Sequence, residues 1–211
     1  MDRNPHEVVA LFEAEVARYC GAPYAVAVNS CTMALLLAVA YWFRGDPIAI
    51  ERGGYSSEVE IPKHTYCSVP QSIIHAGGQV KFREERWTGM YQLRPLPVWD
   101  CARRFTSSMF INGQMMCVSF HISKILGIEQ GGCILHDNAH ADAWLRRARF
   151  DGRTTGVHPM DDHFDMLGFH CYMNPSTAAQ GLLRLYSLPQ HNEDLPPDPY
   201  PDLSQFRVFQ Q

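Results

Sequence analysis

The chain has 211 residues, 46% of them hydrophobic and 19% charged, which excludes general disorder and suffices for one globular core. Eighteen Lys plus Arg against 22 Asp plus Glu leave a net charge of -4, so no basic field exists to gather phosphates and no nucleic-acid partner is expected. Seven cysteines, odd in number and never spaced as CxxC, indicate neither a disulfide framework nor a zinc ribbon and fit a reducing cytosol. The longest apolar run, Met33 to Phe43, is too short to span a bilayer, and the start MDRNPHEVV has no basic-then-apolar order. A cytoplasmic, soluble protein without a membrane partner is the expectation.

In chain order, PHEVVALFEAEVARYCG spaces Val8, Leu11, Phe12, Val16 and Tyr19 by three and four residues, with Asn4 as N-cap, Pro5 in the first turn and Gly21 past the end. This predicts an amphipathic helix. YAVAVNS (Tyr24 to Ser30) reads as a strand, and from Thr32 the run TMALLLAVAYWF reads as a helix buried on every side. RGDPIAIERGGYSSE (Arg44 to Glu58) reads as a loop or an added hairpin around a short IAI core. Val59 to Pro62 ends a strand, Ser68 to Gly78 is a helix with a glycine stop, and Gln79 to Phe82 is another strand.

After the weakly patterned REERWTGMYQLRP come three short apolar runs, Leu96 to Asp100, Met115 to Phe120 and Gly131 to Asp137, of the kind buried on both faces of a sheet. Asn138 to Phe150 and Asn174 to Leu188 read as helices, separated by a loop rich in Gly, His and Asp. The division is therefore one α/β domain over residues 1–188 and a tail, 189–211, whose PQHNEDLPPDPYPDLSQF carries five prolines. The alternation predicts a three-layer α/β/α domain with a mostly parallel sheet, in which ligands sit at the carboxyl ends of the strands.

The residues at those ends carry the chemistry: Asn29, Ser30 and Thr32; Lys63, His64, Thr65 and Tyr66; Asp100; and Ser119 with Lys124 five residues on. Lysines number only three against 15 arginines, which makes Lys124 more informative than a lysine usually is. A helix start with free N–H groups and hydroxyls suits a phosphate. A lysine can bond an aldehyde, a carboxylate can keep a pyridine nitrogen protonated, and a ring can stack on a flat heterocycle, so the set is that of a pyridoxal 5'-phosphate site. Taken singly, each is as well read as a cap, a strand-end residue or a solvated lysine.

FEAEVARYCGAPYAVAVNSCTMALLLAV (Phe12 to Val39), IPKHTYCSVPQSIIHAGGQVKF (Ile61 to Phe82), VWDCARR (Val98 to Arg104), SFHISKILGIEQGG (Ser119 to Gly132) and GFHCYMNPSTAAQGLLRL (Gly168 to Leu185) follow, in order, five segments of one known family. By these the chain resembles the DegT/StrS group of pyridoxal phosphate-dependent sugar aminotransferases and dehydratases, of the aspartate-aminotransferase fold type. The resemblance implies that Lys124 carries the cofactor and that Asp100 holds the ring nitrogen. It also implies that Tyr66 stacks on the ring, and that Thr32, Ser119 and the backbone after Ser30 bind the phosphate. It further implies a homodimer, in which His170 of a neighbouring subunit reaches the phosphate. The family normally has Gly at Cys31, Gln or His at Arg103 and Asn at His170; Arg103 beside the ring oxygen would change the cofactor's electronics.

The family also has a further strand and helix between the segments ending at Phe82 and beginning at Leu96, and a long carboxy-terminal domain after the position of Leu185. A sheet with fewer strands than the family's seven is therefore expected. The function implied is an aminotransferase acting on a nucleotide-linked keto sugar with an amino-acid donor. A reduced paralogue serving as a cofactor-binding or partner subunit is the alternative, and an α/β thiol enzyme using Cys31 with His64 as base is a third. No zinc pattern arises from His64 with Cys67 or from His158, His163 and His170. The region Val157 to Tyr172, rich in His, Phe and Met without helical or strand period, reads as a subunit interface.

Overall fold

A computed structural model describes residues 4–47, 57–196 and 198–210. Helix α1 spans Glu7–Cys20 and ends at Gly21, whose φ of 74° lets its N–H return to the Ala17 carbonyl. Its buried face is Val9, Phe12, Glu13, Val16 and Cys20, rotated from the expected stripe so that Leu11 points outward. Strand β1 (Tyr24–Val28) leads into α2 (Cys31–Arg44), one residue earlier than expected because the Ser30 hydroxyl accepts the Met33 N–H at 3.2 Å and caps the helix. Of the loop or hairpin expected over Arg44 to Glu58, residues 48–56 lie outside the described residues.

Next come β2 (Glu58–Pro62), α3 (Ser68–His75), β3 (Gln79–Arg83), β4 (Tyr91–Leu93), β5 (Val98–Cys101), β6 (Met115–Ser119), β7 (Gly132–His136), α4 (Ala139–Ala148) and α5 (Pro175–Ser187). The sheet runs β1-β7-β6-β5-β4, and β2 with β3 forms a parallel pair. A bridge between Glu60 and Arg94, with backbone hydrogen bonds of 2.7 and 3.0 Å, links that pair to the residue after β4.

The expected three layers are present, but the mostly parallel sheet needs correction. Strands β1, β2, β3, β5 and β6 run one way, whereas β4 and β7 run the other. Because these two are inserted among the rest, three of the four pairings in the five-stranded sheet are antiparallel and only β5 with β6 is parallel. For β4 the cause is the length of its connection to β5. A parallel neighbour needs a crossover of a dozen or more residues, usually helical, and the chain from β4 to β5 offers only residues 94–97, so β4 enters as the arm of a hairpin. The chain thus places β4 between Phe82 and Leu96, where the further strand and helix of the resembled family are expected to be absent or replaced.

Alternation along the strands splits the core into two layers. Val26 and Val28 of β1, Met115 and Cys117 of β6 and Ile134 of β7 pack against α2, α3 and α4. Ala25, Ala27, Met116, Val118, Cys133 and Leu135 face α1 and α5 instead. The outer edge of β1 is closed by side chains. Buried Glu13 accepts the Ala27 N–H at 2.8 Å, Arg149 donates to the Ala27 carbonyl at 2.6 Å, and Arg146 joins Glu13 at 2.6 Å. An unpaired edge that would otherwise invite another strand is thereby blocked. Among the described residues no helix is long and apolar enough to cross a membrane.

Candidate active site

At the carboxyl ends of β1, β2, β5 and β6 lies a cavity of about 600 Å³. From β1 and the start of α2 it receives Ser30, Cys31 and Thr32; from the start of α3, Tyr66 and Ser68; from β5, Asp100 and Arg103; and from β6 and its loop, Ser119 and Lys124. The Thr32 and Ser68 hydroxyls are 2.8 Å apart, and Ser72 donates to the Thr32 carbonyl at 3.1 Å, so two helix starts present their hydroxyls side by side. The first N–H groups of a helix have no intrahelical partner and favour an anion there. Gly132 makes this geometry possible, since a Cβ on it would sit 2.5 Å from the Cys31 nitrogen. Gly127, at φ 58°, likewise keeps the turn after Lys124 tight, with its would-be Cβ 3.0 Å from the Lys124 carbonyl.

Asp100 is buried, and burial raises its carboxyl above the usual range. Two donors oppose that rise: the Ala102 N–H at 2.9 Å and the Tyr91 hydroxyl at 2.9 Å. Tyr91 stands directly across the β4–β5 pair from Asp100 and is met on its other side by the Thr65 hydroxyl at 2.5 Å. Lys124 is half-buried; burial first and then the Arg103 guanidinium lower its amine, while Asp198 and Asp100 pull the other way. The other two lysines are raised instead, Lys63 by Glu84 and Asp202 and Lys81 by Glu60 and Glu58.

The segment after Leu188, read from sequence as a tail, lies back across the mouth of this cavity. Asn192 donates to the Tyr19 hydroxyl at 2.7 Å, Asp194 takes both Nε and an Nη of Arg104, and Leu203 and Phe209 are buried. Asp198 and Tyr200 form part of the cavity wall. Arg103 is ion-paired with Asp198 there, and the Tyr200 ring lies nearly parallel to that of Trp87, with centroids 6.3 Å apart.

Thus Ser30, Cys31, Thr32, Tyr66, Asp100, Arg103, Ser119 and Lys124 share one cavity, and His170 does not. It sits exposed, its Nδ1 2.9 Å from Asp151, on the chain after α4. The thiol reading is not supported by the geometry: His64 is not among the residues that line the cavity with Cys31, its Nδ1 contacting the Tyr200 carbonyl at 3.0 Å, and burial, followed by Asp100, raises the Cys31 thiol above its usual range. Sequence reasoning missed Trp87, Tyr91, Asp198 and Tyr200. Strand β4 is three residues long, too short to show an alternation, and nothing in DPYP announces a docked segment.

Residues 4–87 match the DegT/DnrJ/EryC1/StrS aminotransferase family. The match covers α1 to Trp87 and bears out the resemblance carried by the first two segments. Solved structures carry the likeness further along the chain. It is similar to the sugar aminotransferase CalS13 from Micromonospora echinospora, with 19% identity, a TM-score of 0.71, and 85% of this chain and 60% of that one covered. DesV of S. venezuelae gives 19%, 0.64, 85% and 56%, and the GDP-4-keto-6-deoxymannose-3-dehydratase ColD gives 17%, 0.64, 86% and 61%. The fold is therefore that of these solved structures, and the chain spans about three fifths of their length. No curated protein matches it in sequence.

Proposed function

We propose that the protein is a pyridoxal phosphate-dependent aminotransferase-like enzyme, acting on a nucleotide-linked keto sugar with an amino-acid donor. The observation that carries this reading is the convergence in one cavity of Lys124, Asp100, Tyr66 and the hydroxyls of Ser30, Thr32 and Ser119, contributed by four separate stretches of chain. These residues fit the cofactor: two helix starts suit its phosphate, a buried carboxylate suits its ring nitrogen, and a partly buried amine suits its aldehyde.

When bound, pyridoxal phosphate supplies a conjugated ring that draws electron density from the donor's α-carbon. The chain's residues supply the rest. Lys124, whose amine is lowered by burial and Arg103, would hold the aldehyde carbon, be released from it by the donor's amine, and as the freed amine carry a proton between the donor's Cα and that carbon. Asp100, fixed by Tyr91 and the Ala102 N–H, keeps the ring nitrogen protonated. Thr32, Ser119 and the N–H groups after Ser30 orient the phosphate, and Tyr66, half-exposed at the cavity wall, covers the ring.

A cytosolic homodimer is part of the proposal, in which His170, outside this chain's own cavity, would reach the phosphate in a partner's site. A second reading, a cofactor-binding subunit without turnover, is favoured by the side chain of Asp198 standing on Arg103 inside the cavity. Adding the cofactor, reducing with borohydride and mapping the peptides decides the first point. A label on Lys124 is expected; a label elsewhere, or none, refutes the cofactor assignment. Transamination assays with the loaded protein then separate the two readings.

A further inference from the structure

Arg103 is the most deeply buried cation of the cavity, at 6% exposure, and its partner comes from the far end of the chain. The guanidinium donates to the Asp198 carboxylate and, at 3.4 Å, to the Leu195 carbonyl. Asp198 itself is about half exposed and also accepts the Tyr200 hydroxyl at 2.9 Å. The segment is braced on both sides of it. Before it, Asp194 pairs with Arg104 and the Leu195 N–H donates to the Arg103 carbonyl at 2.9 Å. After it, the Tyr200 carbonyl contacts His64 and the Leu203 N–H donates to the Lys63 carbonyl at 2.9 Å. A carboxylate is thus held on a buried guanidinium in the same cavity as Lys124.

We propose that Arg103 is a recognition subsite for a ligand carboxylate, and that Asp198 is its internal, displaceable occupant. A guanidinium matches a carboxylate through two parallel N–H donors, so the ligand class follows from the present partner. The two members of the pair differ in what they lose on parting. Asp198 turns outward into water, where its charge is solvated, whereas Arg103 stays buried and still requires an anion. The braces at 194–195 and 200–203 need not open, because only one side chain turns. In the function proposed above the entering group is the α-carboxylate of the amino donor. That identification rests on that reading, whereas the subsite does not.

The test uses the full chain without added cofactor, titrated calorimetrically with succinate and with neutral succinamide. Asp198→Asn, which keeps the shape of the side chain, and Asp198→Ala are expected to bind succinate at least tenfold more tightly than the unchanged protein. Succinamide is expected not to bind, and Arg103→Gln in the Asp198→Asn background is expected to abolish the gain. Folded Asp198 variants that bind succinate no more tightly, or a gain that survives Arg103→Gln, overturn the proposal. Cofactor loading at Lys124 is measured separately by absorbance. Succinate binding without loading keeps the subsite and rejects the cofactor, and loading without succinate binding does the reverse.

Discussion

Replacing Tyr91 by Phe tests whether β4, the short antiparallel strand at the end of the five-stranded sheet, serves the site. The Tyr91 hydroxyl donates to buried Asp100 at 2.9 Å and meets Thr65 at 2.5 Å. A hydrogen bond to a charged group is worth about 1.5–3 kcal/mol, so Tyr91→Phe is expected to lower stability by about 2 kcal/mol. Loss of the Thr65 contact adds to this, but the addition cancels in a double-mutant cycle with Asp100→Ala, since both Tyr91→Phe members share it. Urea unfolding of the four proteins should then give a coupling of about 1.5–3 kcal/mol. The sign with pH is also fixed. Burial places the Asp100 carboxyl above its unfolded value, so between the two values the native state binds more protons and stability falls as pH rises. Tyr91 opposes that rise, and Tyr91→Phe should extend the falling window upward. A coupling below about 0.5 kcal/mol, or a pH profile unchanged by the substitution, refutes the reasoning.

Three further outcomes follow from the same geometry. With a limiting amine reagent near neutral pH, Lys124 should react before Lys63 and Lys81, because burial and Arg103 lower its amine while ion pairs raise the others; peptide mapping that finds either of those first is contrary to this. Gly132→Ala should destabilise by about 1–3 kcal/mol in thermal unfolding, because its Cβ would meet Cys31 and Ser30 backbone atoms that cannot step aside, and a neutral effect rejects the close approach. Sedimentation at micromolar concentration should show a dimer that Leu167→Glu weakens, since Met160, Phe164 and Leu167 are exposed together on one loop; a strict monomer removes the proposed role of His170.

Most of the fold was legible because hydrophobic period survives in these segments. The alternation Val26 and Val28 against Ala25 and Ala27 sorts itself onto two faces of the sheet, and the all-round apolar α2 is buried as its composition requires. Strand direction was not legible. Tyr91–Leu93 has too few residues to show a period, and its reversal depends on the missing crossover rather than on its own side chains. The site residues named from sequence lie at ends of elements, where polar residues interrupt apolar runs. Trp87 and Tyr200 escaped because they meet only in space, from stretches separated by most of the domain. The family match likewise stops at residue 87.

The two departures bear on the same chemistry. Asp100 within β5 and Arg103 just beyond it lie three residues apart, carry opposite charge, and act on the Lys124 amine in opposite senses. Neither is held only by the segments that resemble the family. Asp100 is held by Tyr91 of the reversed β4, and Arg103 by Asp198 of the segment that crosses the cavity mouth. Asp198 offsets the lowering that Arg103 imposes on Lys124, so a change in the Asp198 side chain reaches the amine through a charge and not through a moving backbone. If a ligand carboxylate replaced Asp198 on Arg103, the compensating negative charge would be restored and the amine's environment kept nearly constant between the empty and filled site. The elements that set this chain apart are therefore the ones that set the charge around its most informative lysine.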